Sequence, residues 1–91
     1  MIRSFDNSGL EELYHDNTTS RIDKRHFRNC LRILDLIDMA TSPRDLIGVK
    51  DFHPLKGNRA GTYSMHVNGN WCITFRFEGV DVVDVSFEDY H

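Results

Sequence analysis

The chain has little cysteine and no long apolar run, and each shortage argues against a class of protein. Cys30 and Cys72 are the two cysteines among 91 residues, which argues against a disulfide-rich secreted scaffold and predicts reduced thiols. The apolar runs are too short to cross a membrane, and the first residues lack the apolar stretch of a signal peptide. We therefore expect a cytoplasmic protein with no membrane partner. With 40% hydrophobic and 27% charged residues, it should form one domain over residues 1–91.

Net positive charge is also missing. The formal charge of −3 counts against a general nucleic-acid binder, because phosphate affinity comes largely from cations that release counterions. The charges are unevenly distributed, however. Acids are concentrated in residues 78–89, whereas cations gather in residues 21–32 and 50–59. We therefore expect any contact with RNA to use those two basic segments.

The sequence does contain a clear succession of helix signals. Residues 2–5 predict a short strand, and Asn7-Ser8 predicts the cap of a helix over residues 10–15. Residues 20–23 resemble a capping box, and a longer helix is predicted over residues 21–40. Apolar residues recur on one face of it at three- and four-residue steps, namely Phe27, Cys30, Leu31, Leu34 and Ile37.

Four arginines are predicted on the other side of this long helix. They are Arg21, Arg25, Arg28 and Arg32, and at ~100° per residue they spread over only about 60°. A solvated helix face is the commoner explanation of such a row. Because this row contains no acid, it is also a candidate docking surface for a partner.

The second half of the chain has a β pattern. Asn68-Gly69 is a strong hairpin signal, and a three-residue loop over residues 68–70 gives the one register with a coherent apolar face. That register pairs Val67 with Trp71, Met65 with Ile73, and Tyr63 with Phe75. The opposite face then carries Ser64, His66, Cys72, Thr74 and Arg76. A further strand is predicted over residues 80–87. The fold class is therefore α+β, an antiparallel sheet with N-terminal helices packed on one face.

Two segments are rich in groups that transfer protons. They are His53-Pro54-Leu55-Lys56-Gly57-Asn58-Arg59 and Glu88-Asp89-Tyr90-His91. Metal-free cleavage of RNA needs one group that deprotonates the 2′-hydroxyl, another that protonates the departing 5′-oxygen, and cations near the phosphate. Two histidines from separate segments can supply this chemistry, although a solvated tail after a loop explains the same residues. A metal set of His53, His66, Cys72 and His91 lacks the usual ligand spacing.

With the segments 1–5, 67–71 and 73–75, these residues resemble the HigB-like toxins of bacterial type II toxin–antitoxin modules, in the RelE/ParE superfamily. The resemblance implies a ribosome-dependent mRNA interferase, an endoribonuclease that cuts mRNA in the ribosomal A site without a cofactor or metal. It also implies a cognate helix-turn-helix antitoxin (HigA-like), through which alone operator DNA is contacted. The same scaffold hosts toxins that bind a protein target such as DNA gyrase without cutting RNA, and that alternative stays open.

The resemblance also assigns roles to individual residues. It places His53 and His91 at the scissile phosphate, with Asp89 and Tyr90 beside them as further catalytic residues. It makes Lys56 a phosphate contact, and we expect Arg59 in the same motif to bind RNA or phosphate as well. Because such a toxin acts on the ribosome, the row of four arginines becomes a candidate for docking on ribosomal RNA.

The chain departs from the family pattern at one position. The arginine that the family has directly after the tryptophan is replaced by Cys72. A cysteine cannot hold a phosphate oxygen by a charged, bidentate bond. Either Arg76 on the same face substitutes in part as a phosphate-binding cation, or the toxin is weak or inactive.

Overall fold

The computed structural model describes residues 1–89, so the predicted catalytic residues Tyr90 and His91 lie outside the described part of the chain. The first helix, α1, spans Ser8–Asp16. It begins where the Asn7 side chain accepts a hydrogen bond from the Leu10 backbone N–H at 2.9 Å. The predicted cap is therefore confirmed. Leu10 and Leu13 form the buried face of α1.

The second helix begins later than predicted. A short 3-10 turn, Lys24–His26, precedes α2, which spans Phe27–Met39. Asp23 caps the 3-10 turn by accepting from the Arg25 N–H at 3.0 Å, so the capping box at Ser20 is wrong. The reason is a competing local bond upstream of the turn. The Thr19 hydroxyl accepts from the Arg21 N–H at 3.1 Å, which draws that N–H into a turn instead of a helix.

The predicted row of four arginines on one helix is therefore also wrong. Arg21 lies before the helix, and its guanidinium is 3.3 Å from the Glu12 carboxylate. Arg25 lies in the 3-10 turn, 3.8 Å from the carboxylate of Asp23. Of the four arginines, α2 carries Arg28 and Arg32, and both are exposed.

The sheet has four antiparallel strands in the order β1-β2-β3-β4. They are His53–Pro54 (β1), Thr62–Asn68 (β2), Trp71–Glu78 (β3) and Asp81–Asp89 (β4). Its apolar face packs with α1 and α2 in one core that includes Leu10, Ile33, Ile37, Met65, Ile73 and Phe75. The α+β prediction is confirmed. The strand predicted at residues 2–5 is reduced to two isolated parallel bridges to β4, at Ile2 and Phe5.

The predicted hairpin register is right along the strands and wrong at the turn. Met65 pairs with Ile73 and Tyr63 with Phe75, as expected, but Trp71 pairs with Asn68 instead of Val67. A β-bulge at Val67 causes the shift. The Asn29 side chain on α2 holds this bulge by donating a hydrogen bond to the Val67 carbonyl at 3.0 Å. The sequence of the hairpin does not reveal this contact, because Asn29 belongs to the helical half of the chain.

Among residues 1–89, the helices are all too short or too polar to cross a membrane.

Candidate active site

The polar face of the sheet carries a pocket built around His53. Strand pairing places His53 beside Ser64 and His66 beside Cys72, so these side chains share one face. The turn between β2 and β3 closes one end of the pocket. The lining residues are Asp51, His53, Ser64, His66, Gly69, Asn70, Trp71 and Cys72. Two imidazoles therefore face one hollow.

The His53 ring is oriented by a backbone carbonyl. Its Nδ1 atom lies 2.7 Å from the Asp51 carbonyl oxygen. Because a carbonyl can only accept, Nδ1 carries the hydrogen, and Nε2 of the neutral ring keeps its lone pair. The ring is therefore prepared to accept a proton at Nε2.

The backbone just before His53 is strained. Lys50 and Asp51 are consecutive non-glycine residues in the left-handed region, with φ values of 49° and 56°. Such a conformation costs roughly 1–2 kcal/mol per residue, and strain of this kind concentrates at functional sites. The Lys50 carbonyl accepts from the His66 N–H of β2 at 2.7 Å. Strand β2 thus holds the segment that supplies the carbonyl to His53.

Arg59 reaches the same sheet face from the loop after β1. Its guanidinium forms a bidentate ion pair with Glu88, at 2.8 Å to Oε1 and 2.6 Å to Oε2. The Thr74 hydroxyl donates to Glu88 Oε2 at 2.5 Å. The Arg59 hydrogen bonds lower the pKa of Glu88, and the Glu88 carboxylate raises the pKa of Arg59. The pair is therefore ionised throughout the physiological range.

Cys72 contributes a buried thiol to this face. Its side chain is only 5% exposed, and burial raises the pKa of the thiol. It therefore provides no charge to a bound phosphate. In the sheet register, Glu88 of β4 lies directly opposite it.

Lys56 and Arg76, like Arg59, are not among the residues that line the His53 pocket. Lys56 is exposed, next to the short 3-10 turn Gly57–Arg59. Arg76 is 3.5 Å from the carboxylate of Asp84, further along β3. Neither residue lines the hollow that contains His53.

Asp89 lies on the other side of the sheet from His53. It pairs with Trp71, whose indole stacks on Phe87 with a ring separation of 4.5 Å on the side of the helices. With Arg25, His26 and the turn at residues 68–71, it lines a second hollow. The structure therefore does not bring Asp89 beside His53, because neighbouring positions of a strand alternate between faces. The turn residues Gly69, Asn70 and Trp71 border both hollows.

Three residues near these hollows carry no role in the sequence-based predictions. Glu88 is part of the terminal motif, and its pairing with Arg59 becomes visible only in three dimensions. His26 is buried against Trp71 and Phe87, with ring separations of 5.7 and 5.5 Å. The Asn68 side-chain amide donates to its Nδ1 atom at 3.2 Å. No sequence pattern indicates these contacts, since they join distant segments.

Within residues 1–89, no three histidine, cysteine or acidic side chains are grouped so that they could hold a metal ion.

Comparison with known proteins decides the family. The model of the RelE-like toxin of type II toxin–antitoxin system HigB matches residues 3–91. The chain belongs to the HigB-like toxin family. It is also similar to a protein named Endoribonuclease HigB from Proteus vulgaris, with 38% identity over 92 residues that cover the whole of both chains. This confirms the family that the His53 segment and the terminal motif predict.

Proposed function

We propose that this HigB-like toxin is an endoribonuclease that cuts mRNA on the ribosome, with His53 as a catalytic residue. The full-length similarity to a protein named an endoribonuclease supports the activity. The observation that carries the role of His53 is its fixed ring, which faces a pocket on the sheet with Nε2 available as a proton acceptor.

The chemistry is a transfer of the phosphodiester within the RNA. His53 Nε2 takes the proton from the 2′-hydroxyl, whose oxygen then attacks the adjacent phosphorus. The bond to the 5′-oxygen breaks, and that oxygen leaves with a proton from a general acid. The products are a 2′,3′-cyclic phosphate and a 5′-hydroxyl. We assign the general acid to His91, with Tyr90 and Asp89 as neighbours, and each proton transfer contributes ~10²–10⁴ in rate.

The charge of the toxin favours cleavage on the ribosome over cleavage of free RNA. A chain of net charge −3 has no excess of cations with which to hold a flexible RNA strand. Arg28 and Arg32 are exposed on α2, and neither has an ion-pair partner among residues 1–89. They form the docking surface that we propose for ribosomal RNA. Replacing both by Glu should weaken ribosome binding and reduce its salt dependence. An unchanged affinity and salt slope would contradict this role.

The toxin family implies an antitoxin partner. We propose a HigA-like antitoxin with a helix-turn-helix domain, which neutralises the toxin in the cytoplasm and provides the contacts to operator DNA. Co-purification of the two proteins, followed by operator binding with and without the antitoxin, tests this arrangement. Operator binding by the toxin alone would contradict it.

Two features favour a second candidate function, the inhibition of a protein target such as DNA gyrase without RNA cleavage. Cys72 stands where the family pattern has an arginine, and its buried thiol cannot bind phosphate by charge. The acidic net charge points the same way.

Cleavage of mRNA on programmed ribosomes, with free RNA as a control, separates the two functions. We expect His53→Gln to lower the cleavage rate by ~10²–10⁴ without unfolding the chain. His15→Gln is the matched control, since His15 is exposed on α1 and lines neither hollow. If the natural toxin and the His53→Gln variant arrest growth equally well, and neither cuts mRNA, the protein is a binder and not a nuclease.

A further inference from the structure

The face around Cys72 holds a guanidinium even though position 72 is a cysteine. Glu88 is the cross-strand partner of Cys72, and such partners have Cβ atoms only about 4.5–5.5 Å apart. The Arg59 guanidinium binds this same carboxylate through both of its terminal nitrogens. Arg59 and Glu88 also both act electrostatically on the Cys72 thiol. The cation therefore lies over the position from which an arginine of β3 would project.

Arg59 retains the means to bind a phosphate while it is held there. A guanidinium has five N–H donors, and the two bonds to Glu88 use one from each terminal nitrogen. The remaining donors make no hydrogen bond to residues 1–89, and the Arg59 side chain is 45% exposed. The guanidinium can therefore donate hydrogen bonds to a phosphate from its outer edge while it stays paired with Glu88.

Arg76 cannot fill the same position. It lies four residues along β3 from Cys72, which is about 13 Å in a strand. It also pairs with Asp84 at 3.5 Å, on the part of the sheet next to the β4 bulge. Of the two arginines on the polar face, Arg59 is the one beside the His53 pocket, since its partner Glu88 is directly opposite a pocket residue.

We propose that Arg59 is the phosphate-binding cation of the active site, and that Glu88 is a positioning residue that holds it over Cys72. This inference rests on the proposed nuclease function. Thr74 of β3 fixes the Glu88 carboxylate of β4 through its hydroxyl. The two strands together therefore position the side chain of Arg59, which belongs to a loop. The Glu88 charge offsets part of the attraction for phosphate. The site therefore works with a weaker field than an unpaired arginine at position 72 would supply.

The test combines substitutions at residues 59 and 72 in the ribosome cleavage assay. In the natural Cys72 background, Arg59→Gln should lower kcat by ~10²–10³, the usual effect of removing a donor that stabilises the transition state. In the Cys72→Arg background, the same change should cost less than about tenfold, because position 72 then supplies the cation. Arg44→Gln is the control and should leave kcat unchanged, since Arg44 is exposed and does not line the His53 pocket. If the natural protein cleaves mRNA and Arg59→Gln cleaves it equally fast, the proposal is overturned.

Glu88→Gln separates positioning from a merely structural role. This change keeps an acceptor for the Thr74 hydroxyl but removes the charge that holds Arg59. We expect it to lower kcat more than it raises KM in the natural background. It should have no further effect when Arg59 is already replaced by Gln, since Glu88 acts through Arg59. An effect of equal size in both backgrounds would overturn the positioning role.

A measurement without RNA keeps the inference apart from the nuclease proposal and from any folding defect of Cys72→Arg. Inorganic phosphate is titrated into the natural protein while the NMR signal of the Arg59 Nε–H is followed. A saturable shift that is weakened in Glu88→Gln supports the site, even if the protein cuts no mRNA. If the Arg59 signal does not respond to phosphate, or responds no more than that of the exposed Arg44, the proposal is overturned, whatever the cleavage assay shows.

Discussion

Asn68 joins the turn at the proposed active site to the helical layer, and we expect Asn68→Ala to destabilise the protein by about 2 kcal/mol. Its side-chain oxygen accepts from the Asn29 amide at 2.5 Å. Its amide donates to the Arg25 carbonyl and to His26 Nδ1, each at 3.2 Å. The turn that follows Asn68 borders both hollows, so this network should also position the active site.

The magnitude follows from counting these bonds. Three hydrogen bonds at a net ~1 kcal/mol each set a ceiling of about 3 kcal/mol. The bond to the Arg25 carbonyl is exposed, so water can replace it in the variant. Most of its contribution to the free energy of unfolding is therefore retained. Asn29 is not left unsatisfied, because its amide also binds the Val67 carbonyl. About 2 kcal/mol remain, which corresponds to a fall in Tm of about 8–16 °C for a domain of this size.

Urea unfolding followed by the fluorescence of Trp71, the one tryptophan of the chain, measures the change. Asn70→Ala is the matched control on the same turn. Asn70 is exposed, and its side chain makes no hydrogen bond within the described residues 1–89. We expect the control to stay within about 0.5 kcal/mol of the natural protein. If Asn68→Ala and Asn70→Ala unfold at the same urea concentration, the network does not stabilise the fold and the reasoning is refuted.

Three further predictions concern the same region and the thiols. Burial, and then the charge of Arg25, lowers the pKa of His26 below the ordinary 6.5. The unfolded chain therefore binds this proton more readily, and the stability should fall as the pH decreases below 6.5. His26→Gln should abolish this loss in unfolding curves, while the loss from carboxylates at lower pH remains. Lys50→Gly should raise the free energy of unfolding by about 0.5–1 kcal/mol, since glycine relieves the left-handed strain. It should also lower kcat, because the segment before His53, the proposed catalytic residue, becomes looser. An unchanged kcat would contradict a role for that strain. Burial raises the pKa of Cys30 to about 12 and also raises the pKa of Cys72. Iodoacetamide near neutral pH should therefore label neither thiol until the protein unfolds, as mass spectrometry can test.

The sequence determines the features that depend on neighbouring residues. The Asn7 cap satisfies a backbone N–H three residues away, and the alternation of apolar residues pairs Met65 with Ile73. Both outcomes follow from hydrogen bonds and side-chain directions that repeat over a few residues. The terminal motif and the His53 segment likewise identify the family, because a motif can be read in the order of the chain.

The tertiary structure decides the features that join distant segments. The start of α2 depends on Thr19, whose hydroxyl donates to Glu12 of α1 at 2.6 Å while it accepts from the Arg21 N–H. The bulge at Val67 depends on an asparagine 38 residues earlier in the chain. The pairing of Arg59 with Glu88 joins residues 29 apart. Local patterns contain no information about which side chain approaches from another layer. The sequence therefore identifies His53 as a candidate, whereas only the folded chain shows which carbonyl orients its ring and which carboxylate holds Arg59.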